Sequence, residues 1–585
     1  MASSLLSTCL ALLVLGRGVS AAIYDVPTVQ NYVRRSAAKA TVLGNYVYID
    51  GGEISQLDGG KINPRTSNPV NSTLSIDLSK SWTADSVVIR SIPKPGPNKA
   101  NVHLFTDKEA GAFYSWGGKW IFGLNMSETE LWKFSADGAG GGTWSLDPPG
   151  NPSTFAELIP GEFATVTTAG ESGYLIGGIA SGWTQLYRAR NQVIPGMATF
   201  NMKTKLWENG TTSPFNTLTG GTAEFVPAYG PNGLIVLFGG WSPSVVGEPD
   251  VLASPQWGFD NITFFDPETK QNYWQKTTGD IPPHPRTRFC TVGFQREGGY
   301  DIFLFGGINQ VDKTTYNDAY ILSLPGFVWT KVIESPGGRR AEHTCVPVGK
   351  RQVLSIGGLN PYLNSWTTQD PAAQGLMVFD MVDMKWADSY NADAAAYKAP
   401  KPVEEWYSKG SLNDVTWSSG DVQRLFAAAT DQNPGSGSDG SGSGSSDPNT
   451  SDSGSKSSPV AAIAGGVVGG LIGVALVGVL VWFLIRRKKR SQDIGYTHAS
   501  TAPTGPNELG SERPNEMSSE TKYTPAPPYH EVGGNNHHEL YGQGATSPLP
   551  AKTQPVPGHY TELYAGPPTQ TAHAVELDAS MSERR

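Results

Sequence analysis

Cysteine and histidine are scarce in this 585-residue chain: it has three cysteines and nine histidines. Cys9 falls in an N-terminal apolar segment, so Cys290 and Cys345 are the pair left to the body of the chain. Only His103, His284 and His343 precede residue 460, and no His-X-His or carboxylate-rich metal spacing appears among them. No Gly-X-Ser-X-Gly elbow and no phosphate loop occurs. These gaps argue against metal-dependent, acyl-transfer and nucleotide-using chemistry, and no cofactor is implied. A net charge of −9 argues against nucleic acid as a partner. Long apolar runs are confined to two places, and both read as an address.

The first run, Leu5–Leu15, sits in Met1–Ala21 ahead of a Val-Ser-Ala ending, the pattern of a cleaved signal peptide (1–21) although its start has no basic residue. The second, Val460–Ile485, is long enough to cross a bilayer as a helix and is followed at once by Arg486, Arg487, Lys488, Lys489 and Arg490. The expectation is a single-pass type I plasma-membrane protein: 22–431 outside, 459–485 in the membrane, 486–585 in the cytoplasm. Sequons at Asn71, Asn125, Asn209, Asn261 and Asn449 all precede the span, which agrees with N-glycosylation outside. Residues 432–458 are mostly Ser and Gly and read as a flexible stalk. The tail is Pro-, Gly- and Thr-rich and is expected to be disordered. Within it, Tyr529–Val532 and Tyr560–Leu563 look like the Tyr-X-X-apolar signals of endocytic adaptors. Gly465, Gly466, Gly469, Gly470 and Gly473 put small residues four apart in the span, a geometry suited to a homodimer.

Between these ends lies a repeat. Six times an apolar strand runs into a glycine pair: Gly51–Gly52, Gly117–Gly118, Gly177–Gly178, Gly239–Gly240, Gly306–Gly307 and Gly357–Gly358. Each is answered 22 to 34 residues later by a tryptophan: Trp82, Trp144, Trp207, Trp274, Trp329 and Trp386. A unit of this size cannot bury its own faces and must stack on its neighbours. The glycines admit backbone conformations and close approaches closed to other residues, and each Trp supplies a plate to wedge between adjacent sheets. A third strand lies between the two, as in ITFFDPETKQNYW, and a fourth precedes each glycine pair, as in RTRFCTVGF. Four strands per unit and six units predict an all-β, six-bladed propeller, with a seventh blade built from both termini as the alternative. Residues 387–429 are expected to close the ring and to end in a short helix near 421–429.

The glycine-pair strand, the Asp-Pro-Glu-Thr turn and the spaced Trp resemble kelch repeats over roughly residues 35–390, units four to six most closely. Glycine-pair spacings of 51 to 67 residues exceed the usual repeat of about 50 residues, so long loops are inserted. Strand bookkeeping puts the long loops 53–70, 179–197, 241–260 and 359–375 on one face of the disc, with the blade-to-blade connections. On that face Trp183, Tyr187, Arg188, Arg190, Trp241, Trp257, Tyr362 and Trp366 are the candidate ligand-binding residues, as plates and guanidinium groups for a carbohydrate or glycoprotein. For any one Trp the competing role is to pin its own loop. For the matched residues Arg286, Arg340 and their neighbours the framework role is favoured. Cys290 and Cys345 stand at equivalent places in units five and six, where they either bridge two blades or remain two buried thiols. The four sequons within the propeller would rim the same face. The layout resembles fungal single-pass kelch-repeat membrane proteins associated with the cell wall, which implies a surface sensor or adhesion receptor. The alternatives are a structural wall tether and, because galactose oxidase also has a kelch-type propeller, a copper radical oxidase. The oxidase would need two histidine ligands and a Cys–Tyr cofactor, which the three scattered histidines do not suggest.

Overall fold

The computed structural model describes residues 23–63, 66–121, 130–185, 190–210 and 215–427. Each glycine pair follows the second strand of a four-stranded antiparallel sheet whose strands neighbour one another in chain order. The first strands are Lys39–Leu43, His103–Asp107, Thr165–Ala169, Thr222–Val226, Cys290–Arg296 and Thr344–Val348. They stand side by side around one axis, and the sixth touches the first. Blade five carries one extra short strand, Thr278–Gly279, parallel to its outer strand Val328–Val332.

Backbone bonds close this ring, and they explain the glycines. The second glycine of every pair donates its N–H to a carbonyl of the next blade: Gly52 to Lys99, Gly118 to Gly161, Gly178 to Leu218, Gly240 to Arg286, Gly307 to Arg340 and Gly358 to Arg35, at 2.7–2.9 Å. The last of these joins blade six to blade one, so the ring closes at six. All twelve glycines have positive φ. A Cβ on Gly177 would lie 1.9 Å from the Leu218 carbonyl oxygen, and one on Gly51 2.3 Å from that of Lys99. No side chain fits where one backbone lies against another.

A second ring lies nearer the axis. Two residues before the start of each first strand stands a residue with positive φ: Ala37, Asn101, Phe163, Gly220, Arg288 and Glu342. The N–H of one bonds the carbonyl of its predecessor, as in Ala37 to Glu342, Asn101 to Ala37, Gly220 to Phe163, Arg288 to Gly220 and Glu342 to Arg288, at 2.7–3.0 Å. Only one of the six is a glycine, so no residue pattern marks this ring in the sequence.

The core is six layers, one between each pair of blades, because a sheet buries its two faces against its neighbours. Trp144, Trp207, Trp329 and Trp386 each pack into the layer shared with the preceding blade. Trp82 packs into the layer between blades six and one, but from outside the fourth strand, which is Ile89–Pro93. Trp274 departs from the expected wedge and is 54% exposed. In blade six, Phe379 faces Trp386; the matching pair in blade four is Phe265 and Asn272. Trp274 stands two pairs further from the turn, opposite Thr263. Near that turn a groove of about 410 Å³, lined in part by Tyr174, Met197, Leu206 and Phe265, opens between blades three and four.

Cys290 and Cys345 are joined as a disulfide across blades five and six, with Cα atoms 5.7 Å apart. Their places are not equivalent. Counted from Arg288 and Glu342, the two matched ring residues, Cys290 is two along and Cys345 three along. Successive residues of a strand face opposite sides, so this one-residue offset turns the sulfurs toward each other. Equal positions would point the same way round the ring.

Among the described residues neither terminal segment builds a seventh blade. Tyr32–Ser36 pairs with Glu53–Asp58 on the long-loop face of blade one. Beyond blade six, Ser389–Tyr390 pairs with Trp82–Thr83, and the chain then crosses the short-loop side as a strap over blades five and four. Tyr397 donates to Asp301 at 2.7 Å, the Arg296 guanidinium lies 4.6 Å from the Tyr407 ring centre, and Gly230 donates to the Leu425 carbonyl at 3.1 Å. The strap carries the helices Lys401–Ser408 and Gly420–Ala427. Among the described residues no helix is long and apolar enough to cross a membrane. The signal segment 1–21, the stalk 432–458, the span 459–485, the tail with Tyr529, Val532, Tyr560 and Leu563, and the sequons Asn125 and Asn449 lie outside the described residues.

Candidate functional site

The residue after each glycine pair is placed by an antiparallel bridge to the residue just before the inner ring: Glu53 with Ser36, Lys119 with Ala100, Ile179 with Glu162, Trp241 with Thr219, Ile308 with Thr287 and Leu359 with Ala341. These six pairs frame the mouth of the axis on the long-loop face. Arg288 pairs with Glu342 at 2.6 Å and lies 4.2 Å from the Phe163 ring centre. Ser36 donates to Glu342 at 3.1 Å and Asn101 to Glu162 at 3.2 Å. Burial holds the Glu162 carboxyl above its usual range, against the pull of Lys119 and Arg288. Burial draws Lys119 down, but Glu162, Glu53 and Glu342 outweigh it and leave its ammonium above the usual range. Carboxylates and cations therefore answer one another across the mouth, and this cluster is a self-paired closure.

An axial cavity of about 200 Å³ is lined by the inner strands. Among its walls, His103 has neither ring nitrogen hydrogen-bonded among the described residues, and burial, with Lys39 and Lys99 near, holds its pKa at about 3. Burial raises the Glu224 carboxyl to about 7 even though Thr291 donates to it at 2.7 Å.

The open aromatic site lies further out, over blade four. The rings of Phe215 and Trp257 pack with centres 4.4 Å apart. Trp257 is 36% exposed, and its indole N–H donates to the Ser242 hydroxyl at 2.8 Å. Ser242 in turn donates to the Thr217 carbonyl, and Thr217 to that of Pro243. The indole is therefore fixed at its polar edge and leaves a flat face to a groove of about 470 Å³, which Asn216, Ser244, Ala253 and Pro255 also line. Along the same loop Val245, Val246 and Leu252 are exposed. A fixed aromatic plate in a groove edged with hydroxyls and an amide has the chemistry to complement apolar C–H faces beside hydroxyls.

The other predicted residues do not converge on this groove. Trp241 is 2% exposed; it holds the bridge position after its glycine pair and pairs with Thr219 and Gln256, so it pins the loop. Trp183 is half-buried, and its carbonyl accepts the Trp120 N–H over blades two and three. Trp366 is half-buried on a 3₁₀ turn whose carbonyls accept from Ser55 and Arg34. Tyr362 lies in that same blade-six loop, and Arg190 is exposed on the blade-three loop. Tyr187 and Arg188 lie outside the described residues. Arg286 and Arg340 are framework residues: Arg286 binds Asp318 at 2.6 Å and the Gly306 carbonyl, and Arg340 binds Asp370 at 3.0 Å and the Gly357 carbonyl. Phe215 escaped sequence reasoning, because it lies in a connection between blades and its partner Trp257 lies 42 positions on. Asn71, Asn209 and Asn261 are exposed at the ends of third and fourth strands.

The described residues form a β-propeller, and fold and repeat together are consistent with the kelch type. Over 540 residues, 78% of this chain and 75% of the other, the sequence is 23% identical to a kelch repeat-containing protein of Arthroderma benhamiae. No protein-family model matches the chain.

Proposed function

We propose that the propeller is the extracellular binding module of a single-pass type I surface glycoprotein, and that it takes a carbohydrate or glycoprotein of the cell wall in the blade-four groove. The observation that carries this reading is the Trp257 face, exposed beside Phe215 and hydroxyl-bearing walls in a loop that the framework residue Trp241 holds in place. Sugar rings stack on such plates and bond to such hydroxyls. A kelch propeller suits an interaction role, and in this reading the module acts by binding rather than by catalysis. The address rests on the sequence: signal 1–21, stalk 432–458, span 459–485 and tail 486–585. With a ligand site outside and sorting signals inside, the role is that of a sensor or adhesion receptor.

The test is binding of the full chain to a panel of wall glycans and glycoproteins, repeated with Trp257→Ala. The variant should bind about tenfold more weakly, the loss of one stacking contact of about 1.4 kcal/mol, with unchanged thermal stability. Undiminished binding by the folded variant would remove the groove from the reading.

A further inference from the structure

Cys345 is on the first strand of blade six and His343, two residues earlier, leads directly into it, so their side chains leave the same side. The one-residue offset described above brings Cys290 of blade five to that side. One ligand atom from each of the three lies within 4.8 Å of the others. All three line the axial cavity. The two sulfurs are bonded to each other in this structure.

We propose that Cys290, Cys345 and His343 form a redox-gated site for a thiophilic metal ion, Zn²⁺ or Cu⁺, closed as a disulfide and opened by reduction. Two thiolates and an imidazole are a donor set for these ions rather than for Mg²⁺ or Ca²⁺. Tetrahedral zinc with Zn–S bonds of about 2.3 Å holds its two sulfurs roughly 3.7 Å apart. Strands that place the Cα atoms 5.7 Å apart allow that separation once the S–S bond is gone. His343 is 3% exposed, and neither ring nitrogen makes a well-formed hydrogen bond among the described residues. An imidazole nitrogen so placed, with both thiol positions within 4.8 Å, has a lone pair to offer a metal. The cavity supplies an entry path and room for water at the fourth position.

The chemistry balances with a dithiol as reductant. The dithiol gives two electrons and two protons, the Cys290–Cys345 bond becomes two thiols, and the dithiol leaves as its cyclic disulfide. Binding of Zn²⁺ then releases the two thiol protons to solvent, while the imidazole donates its lone pair without losing a proton. The loaded centre carries no net charge, which suits a buried wall.

The test uses the full chain with Cys9→Ser, so that any thiolate signal comes from these two cysteines. The chain is reduced with a dithiol, freed of it without air, and titrated with Co²⁺. The expected result is a single Co²⁺ with a thiolate-to-cobalt charge-transfer band and a tetrahedral visible spectrum, both removed by Zn²⁺. The disulfide form should show neither. Cys290→Ser should lose most of the charge-transfer band, and His343→Ala should keep part of it but lose the tetrahedral spectrum. A reduced, folded chain without the band overturns the proposal, as does a cobalt spectrum that His343→Ala leaves unchanged. Loss of the sheet circular dichroism on reduction also overturns it, since the site needs both first strands in place.

Discussion

At the scale of single residues, glycines with the same backbone conformation have unequal consequences. Gly44, in a hairpin turn, has φ +57° and nothing within 4 Å of the place a Cβ would take, so its role is conformational alone. Gly306 has φ +67°, and a Cβ there would stand 2.7 Å from the Arg340 carbonyl and 2.9 Å from the His343 ring. Gly44→Asn should therefore cost well under about 1 kcal/mol, because Asn tolerates the left-handed region. Gly306→Ala should cost about 3 kcal/mol or more, backbone strain plus the forced separation of two blades. Chemical denaturation of the two variants checks this, and equal midpoints would show that the inter-blade contact is slack. Asp370 illustrates the same dependence on surroundings: fully buried, it faces Arg34 at 3.1 Å and Arg340 at 3.0 Å, and so joins the N-terminal segment to blade six at the seam where the ring closes.

At the scale of elements, the strap shows where pattern reading stops. The helix expected near 421–429 is present as Gly420–Ala427, because Val422 and Phe426, four apart, put one apolar face on the blades. The helix Lys401–Ser408 was not foreseen. It is eight residues long, too short to be stable alone, and is held by Tyr407, whose hydroxyl accepts the Gly326 N–H at 2.9 Å. Phe426 anchors the end of the strap between Tyr229, Phe264 and Phe327, with ring centres 4.6–5.4 Å away. Phe426→Ala should remove about 3 kcal/mol of this docking. In limited proteolysis, cleavage at the exposed Lys409 should then rise roughly hundredfold, provided opening is fast relative to cutting. An unchanged cleavage rate would mean that other contacts hold the strap.

At the scale of the whole molecule, the axis couples stability to pH. A histidine in an unfolded chain titrates near about 6.5, whereas burial holds His103 at about 3. Between those values the unfolded chain carries a proton that the folded chain refuses. Its contribution is thus fully present above the unfolded pKa and is lost as pH falls toward the folded one. His103→Gln should make the acid side of the stability profile shallower by up to about 1.4 kcal/mol per pH unit between about pH 6 and 4. Glu224, raised to about 7, works in the opposite sense as pH rises from its ordinary range and is common to both proteins. Parallel profiles for the two would remove His103 from the account.

Local chemistry alone determined the strands, the six units and the wedge role of most of the tryptophans. A glycine pair after an apolar run, repeated six times, leaves few folds open, because each unit must lend its faces to its neighbours. Only tertiary structure decided that the ring closes at six, since that rests on bonds such as Gly358 to Arg35, between residues at opposite ends of the repeat array. It also decided which tryptophans are enclosed and which keep an open face. Trp241 and Trp257 look alike in a loop, yet one is enclosed at a framework bridge and the other lies open beside Phe215. The meeting of Cys290 with His343 and Cys345 has the same cause: two strands of different blades face each other, and neither strand encodes that register by itself.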